Sequence, residues 1–229
     1  MDQASEKLPF GRHNELVGLS RKTHVYGYDN SGVVIKVPKP GEKRFDSFEL
    51  AKEDLQRYRQ SIEEARRRLE LKGGNKETMV EQEAVIHDAP EGGITYSRVQ
   101  RWIKGAKPLS QVGGGVLNLE SESLKELRRV FEVNISLWQG DRSFLDIVGS
   151  STSKQPIHSR ALKHLFPLFY SENIMVDKAN EVRVVDIGGV VGGESLSLST
   201  KLRGLVQYMG SVISVALIDR ELRKRGFSS

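Results

Sequence analysis

The segment NIMVDKANEVRVVDIG, running from Asn173 to Gly188, constrains this chain most: it sets an amide and a carboxylate thirteen positions apart at the two ends of a predicted β-hairpin. Ile174 to Val176 form a short apolar run, Asp177 to Asn180 supply turn chemistry, and Val182, Val184 and Val185 form a β-branched run ending at Asp186. Two oxygen ligands, Asn173 and Asp186, then emerge on the same side of the hairpin. Such ligands suit Mg²⁺, which keeps several waters and takes its remaining ligands from nucleotide phosphates. The same residues also fit an ordinary hairpin with polar ends, so the rest of the chain decides between the two.

At 229 residues with 38% hydrophobic content, the chain can form one medium domain or two small lobes around a real core. No run approaches the roughly 18 apolar residues of a bilayer span, and the opening MDQASEKLPF lacks a basic-then-apolar signal pattern. A cytoplasmic protein with no membrane partner is expected. The absence of cysteine excludes disulfides, thiolate metal sites and cysteine nucleophiles together. A net charge of +5 admits a polyanionic partner, but the 30 acidic residues are interspersed with the 35 basic ones, as on a solvated surface.

From Glu15 the text ELVGLSRKTHVYGYDNSGVVIKV reads as three strands, the second over His24 to Tyr28 and the third over Val33 to Val37. Gly18 and Ser20 stand where backbone can approach a phosphate. Lys36 is a long cation inside the apolar strand VVIKV, either turned to solvent by alternation or held for a purpose. After Pro38 and Pro40, apolar residues at helical spacing predict a long helix from Phe45 to Lys72, stopped by Gly73 and Gly74. Met79 to His87 and Ile94 to Ile103 then read as two more strands.

Three strands, a helix and two strands with a lysine in the third strand resemble the N-terminal lobe of the protein-kinase-like fold, which includes the aminoglycoside and choline phosphotransferase relatives. The resemblance implies that Lys36 holds the α- and β-phosphates of ATP and that Gly18 and Ser20 belong to the phosphate-covering loop. It implies an acidic helix partner for Lys36, which is Glu53, with Glu63 and Glu64 as alternatives. It also implies that the stretch from Gln100 through Trp102 to Ile103 is a hinge whose backbone bonds the adenine.

In the second half, SQVGGGVLNLESES is a glycine-containing connection, followed by a helix over about Ser123 to Gln139, with Leu124, Leu127, Val130, Phe131, Ile135 and Trp138 as its core stripe and Gly140 at its end. SFLDIVG is a short buried strand carrying Asp146, and a polar stretch leads on to LFPLFYSEN and the hairpin. The last predicted helix covers about Thr200 to Arg225, with Leu202, Leu205, Val206, Met209, Val212, Ile213, Ala216 and Leu217 as a wide apolar face.

Here the resemblance implies that Asn173 is the asparagine after the catalytic loop and Asp186 the metal-binding aspartate of the DFG position, together holding Mg²⁺. It also places a catalytic aspartate five residues before Asn173, where this chain has Leu168. The expected replacement is Asp146, with the polar stretch between Ser150 and Lys163 as an insertion; Glu172, His158 and His164 are the other candidates. No APE-type element follows Asp186, and the expected C-terminal lobe is reduced.

The resulting expectation is an α+β, two-lobed protein-kinase-like chain, with an N-lobe over 1–104 and a minimal, mainly helical C-lobe over 105–229. It binds ATP with Mg²⁺ in the cleft between lobes and passes phosphate to a small molecule or an unusual protein target. A pseudokinase acting as a binding or regulatory module is the alternative. Nucleic acid is not the expected partner: the basic run Arg66 to Arg68 has no interleaved aromatics and matches no binding motif.

Overall fold

Alternating apolar residues build the first half of the chain into a sheet. The computed structural model describes residues 14–19, 23–28, 32–149, 163–185, 190–191 and 197–227. Strands β1 (Asn14–Leu19), β2 (Thr23–Tyr28), β3 (Val33–Pro38), β4 (Gln82–Asp88) and β5 (Ile94–Arg101) form an antiparallel sheet in the order β1-β2-β3-β5-β4. Between β3 and β4 runs helix α1 (Phe48–Leu71). Its buried positions Ala51, Leu55, Tyr58, Ile62, Ala65 and Leu69 recur every three or four residues, which is one face of a 3.6-residue helix.

Helix α1 starts later than the apolar pattern predicts. Phe45 is drawn into a bridge with Ile94, and the Ser47 side chain accepts from the Leu50 amide, so Ser47 opens the helix. Its end is as expected: Gly73 takes φ +71°, and the Gly74 amide returns to the Leu69 carbonyl. The strand expected from Met79 begins instead at Gln82, because Met79 and Val80 pair with Val184 after a short 3-10 turn at Lys76–Thr78.

The remainder is mainly helical. After the short β6 (Lys107–Pro108) and α2 (Leu109–Val112) comes α3 (Ser121–Asp141). Helix α3 does not stop at Gly140: Arg142 takes the left-handed position at φ +53°, its amide on the Leu137 and Trp138 carbonyls. Then follow β7 (Phe144–Leu145), α4 (Pro167–Tyr170), β8 (Ile174–Val176), β9 (Val182–Val184), β10 (Val190–Val191) and α5 (Leu198–Lys224). β6, β8 and β9 form one small antiparallel sheet, and β7 pairs with β10 in another. The fold is α+β, an antiparallel N-terminal sheet followed by a mainly helical C-terminal part, as the sequence predicts. Among the described residues no helix is long and apolar enough to cross a membrane.

Two compact units result: Met1–Gln56 with Glu81–Ile103, and Arg57–Val80 with Lys104–Ser229. The sequence places the division at 104/105; the later turns of α1 and the segment to Val80 group with the second unit because Ala65, Leu69 and Met79 belong to its core. That core is filled by Leu124, Leu127, Val130, Phe131 and Leu137 of α3 with Leu145, Ile147, Leu168, Ile174 and Val184.

Helix α5 reverses the expected polarity. Leu202, Leu205, Met209 and Val212, read from the sequence as a core-seeking face, are 59%, 41%, 48% and 42% exposed. The buried face carries Gly204, Gln207, Gly210, Ser211 and Ser214 instead, with Ile218 and Leu222 towards its end. Small residues are needed there because the backbone lies close to its neighbours. A Cβ on Gly204 would come within 2.4 Å of the Trp138 ring, and one on Gly210 within 2.2 Å of the His164 carbonyl.

Gly210→Ala is therefore expected to lose about 1–3 kcal/mol in urea denaturation, overriding the ~1 kcal/mol that alanine gains over glycine inside a helix. Gly140→Ala, on the exposed face of α3 with the nearest atom 3.7 Å away, should instead gain a fraction of that. Equal effects at the two positions would contradict this packing.

Candidate functional site

Asp146 directly follows β7, and its position is fixed from several sides. The fully buried Asn134 of α3 accepts the Leu145 amide on Oδ1 at 2.8 Å and donates through Nδ2 to the Ser211 hydroxyl at 2.9 Å. One asparagine thus ties α3, α5 and the residue before Asp146 together. The Ser171 hydroxyl donates to the Ile147 carbonyl and accepts from the Ile174 amide. The Glu172 amide bonds the Val148 carbonyl at 3.1 Å. Residues 146–149 and 171–174, far apart in sequence, are laced side by side.

Asn173 lies in this lacing. Its Nδ2 donates to the backbone carbonyl of Asp146 at 2.6 Å, and its own carbonyl accepts from the Val185 amide at 2.7 Å. The first bond fixes the orientation of the amide, leaving Oδ1 as its acceptor end. Gly149 leaves room for that oxygen: a Cβ there would approach Asn173 Oδ1 to 2.9 Å, and φ +78° favours glycine as well. An amide oxygen of fixed direction fits the hard-oxygen chemistry of Mg²⁺. The second expected ligand, Asp186, lies outside the described residues. Among the described residues no three of His, Asp and Glu converge as a metal cluster.

The Asp146 carboxylate meets α5. Oδ1 accepts from Gln207 Nε2 at 3.3 Å and Oδ2 from Arg203 at 3.2 Å, and the side chain keeps 23% exposure. A carboxylate so placed is oriented by two donors and remains partly open to solvent. Gln207 Nε2 also donates to His164 Nδ1 at 3.2 Å, which puts the ring proton of neutral His164 on Nε2. Burial, then the positive charge of Arg203, pushes the His164 pKa below its ordinary value, with Lys163 acting the same way and Asp146 opposing.

Other candidates for the base fare differently. Leu168 is fully buried in the core, so a carboxylate at its position would need desolvation with no charge partner. Glu172 pairs with Lys163 at 3.4 Å. His158 lies outside the described residues.

In the N-terminal sheet, Lys36 is only 6% exposed, so alternation does not turn it to solvent. The register aligns Gly18 with Val25 and Val25 with Lys36, placing Gly18 on the same cross-strand row as the lysine, beside a bulge between Leu16 and Gly18. Ser20 lies outside the described residues. Glu53 is exposed on α1; the neighbouring Asp54 is partly buried and bonded to the Tyr96 hydroxyl at 2.9 Å and to Lys43 at 3.0 Å. Glu64 is committed to Arg67 and Arg68, which hold its pKa down to about 2, and Glu63 faces Arg66 at 3.9 Å. In the stretch expected as a hinge, Gln100 is paired on both sides, with Val34 and Gln82, and the Trp102 amide donates to the Gly32 carbonyl at 2.7 Å.

Asn134, Gly149, Arg203 and Gln207 were not singled out by sequence reasoning. Asn134 and Gln207 did leave a signal, a polar residue inside an apolar helical run, where burial demands a partner.

No protein-family model matches the sequence, and no curated protein matches it. Among solved structures, a crystal structure of choline kinase LicA from Streptococcus pneumoniae aligns at 10% identity over 95% of this chain and 88% of that one, with a TM-score of 0.29. The superposition is loose, and the functional reading stands on the residues of this chain.

His164 should titrate below the ordinary histidine value of about 6.5 in the folded protein. The unfolded chain then binds more protons between the two values, so the His164 contribution to stability is present above about pH 6.5 and is lost as pH falls through the folded value. Urea denaturation from pH 8 to 5 should show this fall, and His164→Gln should flatten it. An unchanged slope in the variant would contradict the assignment.

Proposed function

We propose that this chain is a kinase-like phosphotransferase that binds ATP with Mg²⁺ and passes the γ-phosphoryl group to a hydroxyl of a small molecule or an unusual protein target. The observation that supports the reading is the 2.6 Å bond between Asn173 Nδ2 and the Asp146 carbonyl, which joins the residue carrying a partly exposed carboxylate to the asparagine of the hairpin proposed to hold the metal. Lys36 is the residue proposed to hold the phosphates, with Gly18 and Ser20 in the loop that covers them, Glu53 to orient the lysine and the stretch from Gln100 through Trp102 to Ile103 to meet the adenine. Asn173 and Asp186 would hold Mg²⁺, which when bound neutralises charge on the transferring phosphoryl group.

Asp146 accepts the proton of the acceptor hydroxyl as that oxygen bonds to the γ-phosphorus. The bond from the γ-phosphorus to the β–γ bridging oxygen breaks, and ADP leaves with the electron pair. The Asn173 side chain, whose Nδ2 donates to the Asp146 carbonyl, would keep metal ligand and base in one register.

A second reading, a nucleotide-binding pseudokinase that regulates a partner, draws support from Leu168, an apolar core residue where the family places its catalytic acid. Binding and turnover separate the two readings. ATP with Mg²⁺ should raise the melting temperature by a few degrees at saturating nucleotide, and Asp186→Ala and Lys36→Met should each remove most of the shift. Asp146→Asn should keep the shift and reduce ATP turnover by about 10²-fold or more. No shift at millimolar ATP would overturn nucleotide binding, and binding without turnover in the wild-type protein would favour the pseudokinase.

A further inference from the structure

We propose that Arg203 and Gln207, one turn apart on α5, are positioning residues that aim the Asp146 carboxylate. The proposal rests on the reading of Asp146 as the proton acceptor. Each carboxylate oxygen has its own donor from α5, Gln207 Nε2 on Oδ1 at 3.3 Å and Arg203 on Oδ2 at 3.2 Å. Two donors spaced four residues apart on one helix remove the rotation that a side chain at the end of a two-residue strand would otherwise keep.

The hydrogen bonding of Gln207 is lopsided. The residue is 0% exposed, and its Nε2 serves both Asp146 and His164 while its Oε1 is buried with no partner among the described residues. An unsatisfied buried acceptor is unfavourable, so it is the donor end that accounts for a glutamine here. Arg203 shows the same pattern. Its Nε is buried without a partner among the described residues, while its guanidinium lies over the Phe144 ring at 5.3 Å, which holds it towards Asp146. Both side chains forgo bonds of their own and keep those to the carboxylate. The small inner face of α5 brings them within reach: Gly204 lets the helix approach Phe144, and Gly210 lets it approach His164.

The test measures ATP·Mg²⁺ affinity by calorimetry and steady-state ATP hydrolysis on the full chain, for the wild type and the Gln207→Leu, Arg203→Met and Arg203→Lys variants. Gln207→Leu should lower the melting temperature by no more than a few degrees and keep its ATP affinity within about twofold while kcat falls about tenfold or more. Arg203→Met should do the same to kcat, and Arg203→Lys should recover part of the loss, since a single donor can reach Oδ2. A merely structural role would move ATP affinity and kcat together. Unchanged kcat in both Gln207→Leu and Arg203→Met, with hydrolysis still lost in Asp146→Asn, overturns the positioning role and leaves the base assignment standing. Tight ATP·Mg²⁺ binding with no wild-type hydrolysis overturns the proposal together with the base, and absent binding overturns the underlying functional reading.

Discussion

The bond from Asn173 Nδ2 to the Asp146 carbonyl is the interaction on which the candidate site depends. Asp146 leaves β7 and Asn173 enters β8, and a polar stretch, α4 and the turn after it separate them in sequence. Two side-chain bonds and one backbone bond bring them together: the Ser171 hydroxyl on the Ile147 carbonyl, the Asn173 side-chain amide on the Asp146 carbonyl and the Glu172 backbone amide on the Val148 carbonyl. Each is a buried or partly buried polar bond, and breaking one would leave a partner unsatisfied at about 1–3 kcal/mol. These bonds hold Asp146 beside Asn173 across a sequence separation of 27.

Helix α5 supports this from the other side, and its composition follows from that task. A helix that buries leucine stands off its neighbours by the length of the side chain, whereas one that buries glycine and serine brings its backbone close. On α5 the close approach lets Gln207 reach Asp146 and His164, and lets Ser211 reach Asn134. The large apolar residues are displaced to the outer face as a result.

Much of the fold was legible because period carries it. Alternation marked the strands, and the three-to-four spacing marked α1 and α3. The candidate site was half legible. Asn173 and Lys36 stood out as polar residues at the ends or in the middle of apolar runs, and Asp146 as the acid of a short buried strand. The inward face of α5 was not legible, since hydrophobic spacing identifies a face but not its side when packing selects for small size. Nor could composition reveal that the Trp102 amide closes onto Gly32, because a backbone bond leaves no mark on side-chain identity. Asn134 and Gln207 lie between: each was visible as a polar interruption, and only the fold supplies its partner.

The central claim is that Asp146 and Asn173 share one nucleotide-metal site. Substituting Mn²⁺ for Mg²⁺ tests it most directly, because a paramagnetic ion broadens the NMR signals of nuclei within about a nanometre. Titrating Mn²⁺·ATP into isotope-labelled protein should broaden the side-chain amide of Asn173 and the carbonyl of Asp146 together, while the same titration into Asp186→Ala should spare both. Broadening that bypasses this pair, or that persists unchanged in Asp186→Ala, would contradict the account.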